Sequence, residues 1–313
     1  MKAKVSFKRV GILADGMLLS VAVIWGLGFP VTQMAVDARI SASLILVLRF
    51  GIAAALLGAV FFRRVKTITT DELAAGGLAG FLLGIGYLLQ TVGIQHTTPS
   101  NNAFFTATNV IIVPFLSWLV YRQRPAFRQC LAACGCFVGA VVLSFSPRAG
   151  IRFNLGDLLT LGCALVFSVH FLYLGNLAGR IDTGKLTFLQ MAFAALFCFC
   201  YLLLFERREL VQADFGAGFL PICYLGVLST CYCFFAQTFA QKHTTATKTS
   251  ILLGTEGLFG AAFSVLLGYE SLTANLVVGG TVIFVSLLMM ELFPQKVKTA
   301  KEVVPEDCAA GEA

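Results

Sequence analysis

Charge is scarce in this chain. Asp, Glu, Lys and Arg make up 12% of its 313 residues while 58% are hydrophobic, whereas a soluble globular domain carries about a quarter charged residues. That shortage excludes a soluble globular protein and leaves an integral membrane protein. Other absences narrow the chemistry. There is no glycine-rich loop of the G-x-x-x-x-G-K-S/T type and no polar stretch long enough to hold a nucleotide-binding domain, so nothing in the sequence points to ATP hydrolysis. Histidine occurs three times, and no His-x-x-x-His pair or cluster of aspartates sits on one helix, so the paired groups of an intramembrane enzyme are missing. The chain is therefore read as no enzyme, and neither a cofactor nor a metal is expected. Ten cysteines are present, among them Cys134-x-Cys136, Cys198-x-Cys200 and Cys231-x-Cys233. A helix turns residues i and i+2 to different faces, so these pairs make poor metal sites and read as small packing residues. The predicted outer loops carry no cysteine, so no disulfide framework is expected.

What the chain has instead is long apolar runs. About 20 apolar residues as helix cross about 30 Å of hydrocarbon, and ten such runs are present: 16–36, 43–62, 73–93, 102–121 and 127–145, then 155–178, 186–205, 219–239, 249–267 and 276–292. The fold class expected is all-α, with ten transmembrane helices. The basic start, Lys2, Lys4, Lys8 and Arg9, precedes an apolar run too long for a signal peptide, so this run is read as a retained first helix.

The chain also repeats itself. Gln90 to Leu119 aligns without a gap with Gln237 to Leu266, at an offset of 147 residues and with eight identities in thirty positions. Gln90-Thr91 matches Gln237-Thr238, His96-Thr97-Thr98 matches His243-Thr244-Thr245, and Thr108 matches Thr255. Duplication in so apolar a chain is a signature of carriers whose halves rock about a central site. Two five-helix units in series must return inverted, and the charges agree. With the N-terminus cytoplasmic, seventeen of the twenty-three Lys and Arg residues fall on the inner side and five on the outer, with Arg49 inside a helix. The loop Gln95 to Asn101 has no Lys or Arg, while its repeat partner carries Lys242 and Lys248; Arg122, Arg124 and Arg128 follow the fourth helix, whereas Tyr269 to Asn275 has none. The net charge of +7 is thus membrane orientation and requires no nucleic acid. The expected units are residues 11–147 and 153–293, followed by a disordered cytoplasmic tail over 294–313.

Trp25-Gly26-Leu27-Gly28-Phe29-Pro30, Leu48-Arg49-Phe50, Gly156-Asp157-Leu158-Leu159, Thr255-Glu256-Gly257-Leu258-Phe259 and Leu267-Gly268-Tyr269-Glu270 resemble, in order and spacing, the ten-helix EamA-type permeases of the drug/metabolite transporter superfamily. The resemblance covers nearly the whole chain. It implies a secondary carrier that moves small metabolites, often amino acids outward. Two positions depart from the pattern. Gln123 stands where a glutamate is usual, although its repeat partner Glu270 is kept, and Gly257 replaces the proline after Glu256. The first makes the terminal acid structural; the second leaves local unwinding at Glu256 open, since glycine weakens a helix.

Glu256 is the one acid well inside a predicted span, about 12 Å from Lys248 along the helix axis and so near the bilayer centre. A charge there costs at least about 2.5–3.5 kcal/mol, so it faces the bundle interior, where it binds a substrate ammonium group, takes up a coupling proton, or ties helices together. Arg49 either snorkels to the outer interface or faces the cavity, clamping a carboxylate or pairing with Glu256. Asn109 is the repeat partner of Glu256, and Gln90 and Gln237 are partners of each other; such positions meet at the pseudo-symmetry axis or bond between helices. Trp25, Tyr87, Tyr173 and Tyr232 are aromatic candidates for the pocket wall, with core packing as the alternative. His170, near Tyr173, is a proton relay or a satisfied core histidine. The substrate- or proton-binding candidates are thus Glu256, Arg49, Asn109, Gln90, Gln237, Trp25, His170 and Tyr173.

These readings give a secondary transporter of the cell (plasma) membrane, multi-pass, with both termini cytoplasmic, exporting amino acids or similar small metabolites by alternating access. The alternatives are a multidrug or cationic-compound efflux carrier, then a nucleotide-sugar carrier, which would want more basic groups than Arg49, and a membrane scaffold or receptor. The expected partners are a small-molecule substrate and the lipid bilayer, with no nucleic acid; a homodimer stays open.

Overall fold

A computed structural model describes residues 2–122, 127–143, 145–146, 150–151, 153–244 and 246–292. Gln123, Arg124, Arg148, Arg152, Thr245 and the 294–313 tail, which figured in the sequence reading, lie outside them.

The described chain is almost entirely helical. Its main helices are α1 (Lys2–Asp37), α2 (Ala42–Val60), α3 (Thr70–Ile94), α4 in two pieces, α4a (Pro99–Ala107) and α4b (Asn109–Tyr121), α5 (Phe127–Leu143), α6 (Leu155–Leu177) and α7 (Thr183–Tyr201). Then come α8, whose ends (Phe215–Cys223 and Cys233–Gln241) flank a π-helical run (Tyr224–Tyr232), α9 in two pieces, α9a (Ala246–Gly254) and α9b (Glu256–Leu266), and α10 (Ala274–Leu292). A two-residue antiparallel pair, Phe145–Ser146 with Gly150–Ile151, joins the halves.

Each expected apolar run overlaps helix, although 127–145 is helical only to Leu143 and has Phe145 in a strand. Eight stretches are long and apolar enough to cross a membrane, making this a multi-pass membrane protein, while Cys130–Leu143 and Ala274–Ser286 are shorter. The largest departure is α1, which begins at Lys2 rather than at residue 16, because nothing in residues 2–15 breaks a helix. Five other starts are set by side-chain caps, whereas Ser41 makes no such bond at the start of α2. Thr69 with Glu72 and Asn154 with Asp157 form reciprocal capping boxes on α3 and α6, Asp182 and Asp214 accept first-turn amides of α7 and α8, and Thr98 caps α4a with Pro99 following. Apolar side chains such as Val60, Leu119, Phe137, Leu204 and Leu266 point outward, as lipid requires.

Helix association in hydrocarbon depends on close packing more than on water exclusion, and the glycines supply it. On α3, a Cβ at Gly76, Gly80 or Gly84 would press into Leu189, Phe193 or Phe197 of α7; Gly139 and Gly279 bring α5 against α10; Gly26 and Gly260 let α1 cross α9b. The packing pairs follow one pattern. α3 lies on α6 and α7, while α8 lies on α1 and α2; α1 meets α9, as α6 meets α4; and α2–α7, α4–α9 and α5–α10 pair with each other. Because α4a packs on α9b and α9a on α4b, the two broken helices run antiparallel.

Candidate functional site

Both broken helices break at the same place. Thr108 (φ −62°, ψ −12°) and Thr255 (φ −65°, ψ −12°) each interrupt a helix, and each returns its hydroxyl to the carbonyl three residues back, Phe105 at 2.6 Å and Leu252 at 2.7 Å. Threonine hydroxyls bonding back to the ladder bend or interrupt helices. The residues that start the second pieces are Asn109 and Glu256, so the unwinding left open at Gly257 falls one residue before Glu256, not after it.

Asn109 and Glu256 both line a narrow central cavity of about 30 Å³, room for a water or two in this conformation. Its lining also takes in Trp25, Gly28, Phe29 and Thr32 of α1, Arg49 of α2, Leu83, Tyr87 and Gln90 of α3, Phe167 and Phe171 of α6, and Ser229 and Phe234 of α8. The lining runs from the middle of the bundle towards the end where α1 and α3 finish. The aromatic rings form a floor on the other side: Tyr87 lies 5.1 Å from Phe167 and 5.8 Å from Phe234 between centroids, and Trp25 lies 5.2 Å from Phe234.

Arg49 is 3% exposed. It does not snorkel and it does not pair with Glu256. Its Nε donates to Thr230 Oγ1 at 2.8 Å and its Nη2 to Ser229 Oγ at 3.1 Å, while the guanidinium sits 4.5 Å from the centroid of the Tyr87 ring. Burying a guanidinium is tolerable only when its donors are met, and the π-helical run of α8 meets two of them. The same wide turn presents the Ser229 carbonyl to Trp25 Nε1 at 2.7 Å. Wide turns of this kind recur at functional sites.

Glu256 is 4% exposed, and among the described residues no hydrogen bond or ion pair reaches its carboxylate. Asn109 Oδ1 is likewise buried without a partner among them. Leaving such a group unmet costs about 1–3 kcal/mol. Gln90 is better anchored: its Nε2 donates to Thr106 Oγ1 at 3.1 Å, and its backbone carbonyl accepts from Asn102 Nδ2 at 3.2 Å.

The structure thus brings five of the sequence candidates, Glu256, Arg49, Asn109, Gln90 and Trp25, to one cavity. The other three lie outside its lining. His170 bonds Gln190 at 2.9 Å, Tyr173 donates to the Ala75 carbonyl at 3.3 Å, and Gln237 is buried one turn beyond Phe234. Tyr87 is in the wall, whereas Tyr232 bonds Ser20. Sequence alone does not single out Ser229 and Thr230. Adjacent hydroxyls in an apolar run were the only signal, and Arg49, their partner, is 180 residues away.

Three ion pairs are present among the described residues, Arg64–Asp182, Lys185–Glu72 and Lys248–Asp15, all at one end of the bundle. At the opposite end, carboxylates take hydroxyls and amides instead: Glu206 accepts from Ser43, Glu270 from the Ser100 amide, Asp157 from Thr97 and Asp37 from Tyr269. The cysteine pairs split as helical geometry requires, with Cys136, Cys198 and Cys233 buried and Cys134 and Cys200 exposed.

The chain can be set beside known proteins on these grounds. It is 31% identical over 284 residues to an uncharacterized transporter of Archaeoglobus fulgidus, covering 90% of this chain and 86% of that one. It is 22% identical over 297 residues to the uncharacterized transporter YvbV of Bacillus subtilis, covering 94% and 96%. A crystal structure described only as that of a protein superposes with a TM-score of 0.63 at 18% identity, over 92% of this chain and 96% of that one, which shows a shared fold. The sequence profile of the EamA-like transporter family matches residues 12–145 and again 154–292, a family of transporters rather than enzymes. The chain belongs to the EamA-like transporter family.

Proposed function

We propose that this transporter is a secondary carrier of the plasma membrane, built from ten spanning helices in two inverted repeats over 11–147 and 153–293 with both termini cytoplasmic, and that it exports amino acids or similar small metabolites by alternating access. The observation that carries this reading is the placement of Glu256, a carboxylate without a partner among the described residues, in the same aromatic-walled cavity as the anchored guanidinium of Arg49. One group suits an ammonium or a proton, the other a carboxylate. The matching breaks at Thr108 and Thr255, the antiparallel packing of α4 on α9 and the exchange pattern of helix pairs support the inverted repeats. The charge distribution supports the orientation.

A second reading, efflux of cationic compounds, is favoured by one asymmetry. Arg49 already spends Nε and Nη2 on Thr230 and Ser229, whereas Glu256 has no partner among the described residues, so the uncommitted charge in the cavity is negative. Counterflow into proteoliposomes decides between them. Uptake of labelled amino acids that unlabelled amino acids accelerate supports the first reading; uptake confined to organic cations supports the second; no counterflow of either kind overturns both.

A further inference from the structure

Polar groups continue beyond the aromatic floor. One turn past Phe234, Gln237 is fully buried, and neither its Oε1 nor its Nε2 has a hydrogen-bond partner among the described residues. One turn further, Gln241 donates to the Phe171 carbonyl at 3.4 Å and leaves its Oε1 unmet. His170 Nδ1 on α6 and Thr249 Oγ1 on α9a are buried and unmet in the same way. The elements that carry these groups pack on one another, and α1 packs on both α8 and α9a. Where this zone reaches the end of the bundle, Lys248 of α9a donates to Asp15 of α1 at 2.8 Å. An amide buried with both atoms unmet is a poor packing residue, and a leucine of similar size would serve a static bundle better.

The repeat explains the placement. Gln237 stands 147 residues after Gln90, and Thr249 stands 147 after Asn102. Gln90 and Asn102 are joined to each other on the other side of the floor, where Gln90 lines the cavity. We propose that Gln237, with Gln241, His170 and Thr249 around it, lines an inner half of the translocation path that the aromatic floor and the Asp15–Lys248 pair close in this structure. When that half opens, the Gln237 amide takes the place that Gln90 holds now and meets the polar groups of the substrate. This inference rests on the alternating-access reading of the central cavity.

Side-specific thiol labelling of the full chain in oriented proteoliposomes tests it, with a membrane-impermeant trimethylammonium methanethiosulfonate as probe and the native cysteines as background. Gln237→Cys is expected to react from the inner face alone and about tenfold faster when Asp15→Asn loosens the inner pair, while Gln90→Cys reacts from the outer face and slows. Labelling of Gln237→Cys that is absent, that comes from the outer face or that ignores Asp15→Asn overturns the proposal. Gln237→Leu gives a second readout: reduced flux with undiminished thermal stability supports the role, and full flux with raised stability makes Gln237 a packing residue. Labelling reads access rather than flux, so a wild type that carries no solute refutes the transport reading while the labelling still decides the inner path.

Discussion

Thr108 and Thr255, 147 residues apart, hold the same backbone conformation and make the same hydroxyl bond three residues back. Each places the next side chain, Asn109 or Glu256, in the central cavity. Removing the hydroxyl favours a continuous helix, since alanine is the best helix former. Thr255→Ala is expected to lower flux about tenfold, equivalent to about 1.4 kcal/mol, with an unfolding temperature equal to or above that of the wild type. Unchanged flux would mean that the break does not position Glu256.

Arg49→Lys keeps the charge and loses the geometry. Lysine cannot reach Thr230 and Ser229 together while stacking on Tyr87. Charge-assisted hydrogen bonds contribute about 1.5–3 kcal/mol each, so a stability loss of about 2 kcal/mol or more is expected, with flux falling in parallel. Thermal unfolding in detergent together with flux at matched protein amounts checks this, and wild-type behaviour in both would mean that Arg49 acts as a point charge.

Gly80 lies where α3 meets α7. A Cβ there would come 2.6 Å from the Gln190 carbonyl oxygen and 2.7 Å from Phe193 Cβ, and overpacking of this kind costs about 1–3 kcal/mol. Gly80→Ala is expected to reduce the folded yield measured by size-exclusion chromatography, whereas Gly51→Ala, where a Cβ meets nothing within 4 Å, leaves it unchanged. Equal yields would show that α3 and α7 can separate without loss.

Protonation of Glu256 within the transport cycle predicts a pH-dependent flux that Glu256→Gln makes flat, because the amide keeps the shape and cannot titrate. Rates across pH 5 to 9 in both proteins check this. A Glu256→Gln profile that follows the wild type would remove Glu256 from the coupling step.

The breaks show what a sequence can and cannot reveal. Glu256 could be read as interior because its depth in an apolar run is a matter of counting, and Asn109 followed from the repeat. The partners of Arg49 could not, since they depend on a π-helical run in α8; Pro221 just upstream and Gly226 within the run weaken a helix but do not say which side chains it turns towards Arg49. The cavity wall was hidden for another reason. In a chain with 29 phenylalanines, Phe167, Phe171 and Phe234 differ from lipid-facing Phe137 only in direction, which tertiary packing decides. The same packing turned His170 and Tyr173 away from the cavity, towards Gln190 and the Ala75 carbonyl.

The measurement that tests the account most directly is counterflow in proteoliposomes, with and without an imposed pH gradient, for the wild type, Glu256→Gln and Tyr173→Phe. The expected result is gradient-responsive uptake by the wild type and by Tyr173→Phe, whose hydroxyl lies outside the cavity, and uptake by Glu256→Gln that no longer responds to the gradient. A gradient response in Glu256→Gln like that of the wild type would contradict it.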